Sequence, residues 1–415
     1  MLDSTRNLKN NVKLLFTIQL ANYLLPLLLI PYLTQVLGVP LYGLIAFGMA
    51  IIQIGCIITD YGFSLSATYQ IAKSSHDRLV QQKIIAAVFT LKALLLIPVL
   101  LALGLFIAIE ENYQQHASFF WLLILTIIGQ TFQPIWFFQG IEKMGAMTIY
   151  TLLSRFLYLG LVFLLVDSPA DYELVAVANG TASICAAIVA ISLMIRLGYN
   201  PRWGGWAFVR STFHNSTEFF WSRAAVATYT AGGAFFLGLV STTTQVAYYS
   251  AAEQLYKGAQ SIFQPVAQAL YPYMAKNKNF KLFFKVLGLI IILSLVELIV
   301  GYFIGPFAIE LLFGKDFSPS YAVLIIFLIT SAVTAPSILL GYPFLGALGN
   351  SKDANLSVMY ASIIQLALLV ICYNFNLTSA VFVALSVLTV EIFVLGYRAV
   401  CAKSTYYSYH KGITK

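Results

Sequence analysis

Charge is scarce in this 415-residue chain: Asp, Glu, Lys and Arg make up only 10% of it, against about 25% in soluble domains. With 60% hydrophobic residues and a mean hydropathy of +0.84, no soluble core can absorb the apolar surface, so the solvent must be largely lipid. Cysteine and histidine are sparse too, four of each. Cys56, Cys185, Cys372 and Cys401 show no metal-ligand spacing and sit in or beside apolar runs, which argues against a metal centre and against disulfides. His76, His116, His214 and His410 fall in loops or tails, so no histidine relay crosses the apolar runs. The phosphate-cradling pattern G-x-x-x-x-G-K-[ST] is missing; the nearest string, GALGNSKD at 346–353, lacks its spacing. Loops long enough for a folded soluble domain are missing as well. Together these absences disfavour an enzyme, exclude a fused nucleotide-driven motor and leave no cofactor or metal to expect.

What the chain has is apolar length. A bilayer-crossing helix needs ~20 mostly apolar residues at 1.5 Å rise each. Runs of that kind occupy 13–36, 41–70, 84–109, 117–140, 147–167, 173–196, 217–241, 246–272, 283–305, 320–343, 356–375 and 378–400. The expectation is an all-α integral membrane protein with twelve transmembrane helices. The first run is too long for a cleaved signal peptide and lacks a small-residue cleavage site. The longest polar interval, LGYNPRWGGWAFVRSTFHNS at 197–216, divides the chain into an N-terminal lobe over 1–200 (helices 1–6) and a C-terminal lobe over 201–415 (helices 7–12). Two halves with even span numbers have the same orientation, as parallel repeats do. A faint echo between VLGVPLYGLIAF and STTTQVAYYSAA, each a small-polar turn leading to an aromatic and small residues, fits that reading.

Basic residues set the topology. Arg6, Lys9, Lys13, Lys73, Arg78, Lys83, Lys143, Arg196, Arg202, Arg210, Lys276, Lys278, Lys281, Lys285, Lys352, Arg398, Lys403, Lys411 and Lys415 fall on one side of the predicted bundle, and only Lys315 on the other. By the positive-inside bias both termini are cytoplasmic. The net charge of +8 is thus a topological signal and not a nucleic-acid footprint, although the 276–285 loop suits anionic lipid headgroups.

Ionisable groups inside spans are costly and mark bundle interiors or aqueous cavities. Counting rise per residue, Lys92 and Arg155 lie ~12 Å inside the cytoplasmic end of their spans, Arg223 ~9 Å inside, and Lys257 near the midplane. Four bases thus share the cytoplasmic half or centre, a distribution that suits a cationic patch in a water-filled cavity receiving an anion. The plainer reading for Lys92, Arg155 and Arg223 is snorkelling to the headgroups or a bond to a carboxylate elsewhere, and for Lys257 a self-neutralising i,i+4 pair with Glu253. Glu253 is also the best residue for ion coupling; Asp60, close to the cytoplasmic face, is a further charge partner. Prolines recur in the spans, at 26, 31, 98, 134, 265, 336 and 343, and each removes an intrahelical bond and permits a kink. The stretch QTFQPIWFFQG places Gln130, Gln133 and Gln139 where they could hydrogen-bond sugar hydroxyls, with Trp136 and Phe137 offering ring faces. Interfacial anchoring and interhelical polar contacts are the competing reading.

NYLLPLLLIPYLTQVLGVPLYGLIAF followed by ITDYGFSLSATYQIA resembles the opening of bacterial polysaccharide-biosynthesis flippases. FQPIWFFQGIEKM, LGLVSTTTQVAYYSAAEQL, PVAQALYPYMAK and LLFGKDFSPS continue the resemblance in order, from residue 22 to about 320; beyond that the match is mainly in hydropathy. The resemblance implies a member of the multidrug/oligosaccharidyl-lipid/polysaccharide exporter superfamily, with two six-helix lobes around a central cavity. It implies a flippase that carries undecaprenyl-diphosphate-linked O-antigen or capsule repeat units from the cytoplasmic to the outer leaflet of the bacterial inner membrane. The implied partners are the lipid-linked oligosaccharide, membrane lipids, and a polysaccharide polymerase with its chain-length regulator. No sharply defined motif transfers to individual residues, so Arg155, Arg223, Lys257 and Lys92 rest on charge and depth. A cation-coupled drug exporter of the same superfamily and a membrane polymerase are the alternative functions.

Overall fold

The computed structural model describes residues 2–411, with side chains for 28–221, 223–225 and 232–411. Arg6, Lys9, Lys13 and Pro26, used above for orientation and kinking, lie outside the described side chains, and Lys415 lies outside the described residues. Among the described residues fourteen α-helices follow one another: α1 Leu2–Asp60, α2 Phe63–Lys73, α3 Arg78–Ile109, α4 Ala117–Phe132, α5 Ile135–Gly140, α6 Met144–Leu165, α7 Tyr172–Arg196, α8 Trp206–Val240, α9 Thr243–Gln260, α10 Gln264–Asn277, α11 Phe280–Phe313, α12 Ser320–Leu339, α13 Ser351–Asn374 and α14 Ala380–His410. Among the described residues there is no strand. Nine stretches there are long and apolar enough to cross a membrane. Of the twelve predicted runs, 13–36 and 217–241 lie partly outside the described side chains, so the nine stretches do not test the predicted number. Gly38 (φ 71°, ψ 178°) breaks α1 into two helices joined end to end. The predicted span 246–272 is divided at a turn over 261–263 into α9, rich in Thr, Gln and charge, and α10.

Proline explains two further interruptions. Pro134 separates α4 from α5, because it cannot donate the helix bond there. Pro343 sits in a seven-residue π-helical turn, Leu340–Gly346, that continues α12 past a break at Gly341 (φ −65°, ψ −119°). Pro98 and Pro336, by contrast, lie inside helices that continue through them. Side-chain caps fix several starts: Asp77 accepts from the Val80 amide at α3, Thr242 from Gln245 at α9, and Asn279 from Leu282 at α11.

The chain divides into two compact units, one of residues 1–37 and 48–224, the other of 38–47 and 225–415. In the first, α4 packs against α7 and α3, α7 against α6, and α2 against α5 and α3. Its core gathers Phe63, Ile85, Trp136, Phe137, Phe138, Tyr150 and their neighbours, all buried. The first part of α8 joins this unit through Tyr61, whose ring stacks between Phe213 and Phe220 at centroid distances of 4.4 and 4.5 Å. In the second unit α12 is central, packed against α9, α11 and α14, with α13 on α14. Residues 38–47 enter this unit by a close helix contact: a Cβ on Gly43 would sit 1.8 Å from the Thr243 carbonyl oxygen. Only glycine permits that approach, a small-residue contact of the kind that holds membrane helices together. The two stretches that echo each other in sequence, around Gly43 and Thr243, thus touch within one unit.

Candidate substrate-binding site

In the first unit α1, α3 and α4 bring a polar cluster into an otherwise apolar interior. Lys92 is 4% exposed and its Nζ lies 3.6 Å from Asp60 Oδ1. The same Nζ donates to the Thr131 carbonyl at 2.9 Å, and the Thr131 and Thr59 hydroxyls are 2.9 Å apart. The second Asp60 oxygen accepts from the Ser64 amide. Cys56 Sγ donates to Gln130 Oε1 at 3.5 Å, linking the exposed end of that glutamine to the cluster. An ion pair held this way satisfies both charges inside the unit, as a buried pair must to be tolerated. Lys92, expected from its depth to receive an anion, is committed to Asp60 and a backbone carbonyl instead.

Arg155 and Arg223 differ from Lys92. Both are solvent- or lipid-exposed, Arg155 on α6 and Arg223 on α8. The QTFQPIWFFQG stretch splits by burial. Trp136 is 1% exposed and meets Phe89 and Phe137 edge-on, so its ring face is spent on core packing and is not open to a sugar. Gln133 donates to the Ser183 carbonyl at 3.3 Å, an α4–α7 contact. Gln139 is half-buried, as Gln133 is, and Gln130 exposed, so with the Gln133 amide engaged at Ser183 the amides of Gln130 and Gln139 are left for other contacts.

In the second unit Lys257 Nζ and Glu253 Oε2 are 2.8 Å apart, one helical turn along α9, with the lysine 38% and the glutamate 13% exposed. The i,i+4 partnership is therefore formed, yet the lysine keeps an open side. A polar track runs beneath it. Tyr256 stacks on Phe327, its hydroxyl lies 3.5 Å from Thr334 Oγ1, and Gln260 donates to it at 2.5 Å. Of the predicted bases, Lys92, Arg155 and Arg223 belong to the first unit and Lys257 to the second.

Two groups escaped the sequence reading. Glu297 on α11 accepts from Ser331 on α12 at 3.1 Å, an interhelical bond between two spans. Arg398, assigned above to the basic end of the last span, lies inside α14, which continues to His410. Its Nε donates to Ser357 Oγ at 2.9 Å and its Nη1 to the Ser337 carbonyl at 2.9 Å, so it ties α14 to α13 and to the end of α12. The signal was present, because YRAVCAKSTYYSYH contains no helix breaker after Arg398.

A family model described as "Polysaccharide biosynthesis protein" matches residues 8–278, more than half of the chain. The chain belongs to that family. A protein of Escherichia coli (strain K12) carrying the provisional name O-antigen transporter is 31% identical over 65% of this chain and 66% of its own length, slightly under two thirds of it. A second of the same name, from Shigella dysenteriae, is 28% identical over 80% of this chain and 85% of its own. Among solved structures, the lipid II flippase MurJ in an inward closed conformation superposes with a TM-score of 0.71 at 13% identity, covering 95% of this chain and 87% of that one. An inward-facing MATE-family multidrug resistance transporter of the MOP superfamily gives 0.69 at 12% identity, covering 92% and 96%. This multi-pass membrane protein shares the fold of those solved transporters, and the curated relatives it matches carry transporter names.

Proposed function

We propose that the protein flips undecaprenyl-diphosphate-linked oligosaccharide repeat units, of O-antigen or capsule, from the cytoplasmic to the outer leaflet of the bacterial inner membrane. Both termini face the cytoplasm in this reading, and each flipped unit passes to a polysaccharide polymerase and its chain-length regulator. Membership of the polysaccharide family supplies the substrate class. The observation that carries the chemistry is the contrast among intramembrane bases: Lys92 is sealed against Asp60, whereas Arg155, Arg223 and one side of Lys257 are exposed.

A lipid diphosphate presents clustered anionic oxygens, which guanidinium groups bind in bidentate fashion. Arg155 and Arg223 of the first unit bind diphosphate oxygens. Lys257 of the second is held by Glu253 at rest and exchanges that carboxylate for phosphate as the substrate arrives. Gln130 and Gln139 contact glycan hydroxyls, and the lipid tail stays in the bilayer. Glu253, released when Lys257 turns to phosphate, is then a free carboxylate able to take up a cation, which ties substrate binding to coupling.

A strain lacking this protein and any redundant flippase tests the activity. Lipid-linked repeat units should accumulate in the cytoplasmic leaflet and surface polysaccharide should be lost. Normal surface polysaccharide in that strain contradicts the proposal.

A further inference from the structure

We propose that a groove between α3 and α8 in the first unit binds one anionic glycerophospholipid, its acyl chain in the groove and its phosphate on Arg210. The groove has a volume of about 430 Å³ and is lined by Leu91, Leu94, Leu95, Trp206, Val209, Phe213 and Arg210, within the ~300–1,000 Å³ typical of small-molecule sites. The sequence builds it simply. Leu91, Leu94 and Leu95 are spaced i, i+3, i+4 on α3, and Trp206, Val209, Arg210 and Phe213 are spaced i, i+3, i+4, i+7 on α8, so each set shares one helix face. Leu91 and Val209 are buried and form the floor, with Phe213 fixed by its stack on Tyr61. Leu94, Trp206 and Arg210 are exposed and form the rim. Every lining group but one is apolar, and that one is a permanent cation.

The two helices run in the same direction, since Gly204 lies against Lys83 while Val209 and Phe213 lie beside Leu91–Leu95. The connecting loop is fixed to the start of α3. Arg202 donates its amide to the Gln82 carbonyl at 3.1 Å, and Gln82 donates to the Gly198 carbonyl. Arg78 donates to the Leu197 carbonyl and covers the Tyr199 ring. One end of the groove is therefore ringed by Arg78, Lys83, Arg202 and Arg210, while Asp77 beside them is occupied capping α3. Trp203 and Trp206, exposed and edge-to-face at 5.3 Å, lie there as aromatic-belt residues do at headgroup level. Arg210 is six residues beyond Gly204, ~9 Å along the helix, within snorkelling reach of that level. Among the described residues Arg210 has no carboxylate partner. An apolar slot below the aromatic belt, closed by an unpaired guanidinium and surrounded by further bases, matches a single acyl chain joined to a phosphate. A zwitterionic lipid would bring its own cation to that ring of bases.

Native mass spectrometry of the full-length protein, titrated with phosphatidylglycerol or phosphatidylethanolamine, tests the site without reading transport, so its failure leaves the proposed flipping untouched. Phosphatidylglycerol should be retained preferentially. Arg210→Ala should lower that retention about fivefold, the equivalent of ~1 kcal/mol for one basic residue at a charged surface; Arg210→Lys should keep most of it. Leu94→Trp, which fills the groove at an exposed position, should reduce adducts of both lipids. Equal retention of the two lipids by the unmodified protein overturns the proposal, as does unchanged phosphatidylglycerol binding in both Arg210→Ala and Leu94→Trp. Displacement of phosphatidylglycerol by equimolar undecaprenyl diphosphate, or a dimer that Leu94→Trp abolishes, assigns the groove to the cargo or to a second copy and overturns it equally.

Discussion

Lys92→Met is the substitution that separates a structural from a substrate-binding role for an intramembrane base. In the structure Lys92 Nζ faces Asp60 at 3.6 Å and the Thr131 carbonyl at 2.9 Å. At an effective dielectric of about 20, the ion pair carries an attraction of about 4–5 kcal/mol. A hydrogen bond from a charged donor adds about 1.5–3 kcal/mol. Desolvation of the two ions opposes both by several kcal/mol. Removing one partner leaves the other unpaired, which costs about 3–5 kcal/mol. Asp60 is 23% exposed, so water reaches the stranded carboxylate and Lys92→Met should fall at the low end, about 3 kcal/mol. Asp60→Asn strands the more deeply buried lysine and should cost about 4–5 kcal/mol. The double variant should recover about 1–3 kcal/mol relative to the sum of the singles, because the pair acts as one unit. Equilibrium unfolding of the purified protein in bicelles measures all three, with flipping normalised to folded protein in parallel. A Lys92→Met variant as stable as the unmodified protein but unable to flip substrate would refute the reasoning and return Lys92 to the substrate path.

Other consequences are sharp enough to measure. Gly43→Val places side-chain carbon against the Thr243 carbonyl, where even a Cβ would sit at 1.8 Å; folded yield should collapse, whereas Gly160→Ala, with open space around its Cβ, should leave it unchanged. Trp136→Ala should lose about 3–5 kcal/mol of stability as a buried aromatic does, a ring used for sugar stacking would instead change substrate affinity with little loss of stability, and thermal unfolding beside substrate titration distinguishes the two. Arg398→Lys keeps the charge but cannot serve Ser357 and the Ser337 carbonyl together with one planar fork; a loss of about 1–3 kcal/mol is expected in unfolding experiments.

The helical membrane architecture was legible because apolar length is written directly in composition, and the positions of Pro134 and Pro343 marked real interruptions. The pairing of Glu253 with Lys257 was legible for the same local reason, one helical turn along a single helix. Long-range pairing was not. Nothing in the spacing of Asp60 and Lys92, 32 residues apart on different helices, announces that they meet, so depth alone placed Lys92 among the anion-binding residues. Trp136 was legible only as a choice between two roles, since an aromatic after a helix-breaking proline reads equally well as a core or a cavity residue until its neighbours Phe89 and Phe137 are known. The route of residues 38–47 into the second unit was equally hidden, because it depends on a missing side chain at Gly43 meeting a backbone oxygen distant in sequence.

A leaflet-resolved flipping assay in proteoliposomes, with a purified undecaprenyl-diphosphate-linked repeat unit, tests the central claim most directly. Arg155→Ala, Arg223→Ala and Lys257→Ala should each slow flipping at least about tenfold, the equivalent of ~1.4 kcal/mol per lost phosphate contact, while leaving the protein folded. Unchanged rates in all three variants would contradict the account.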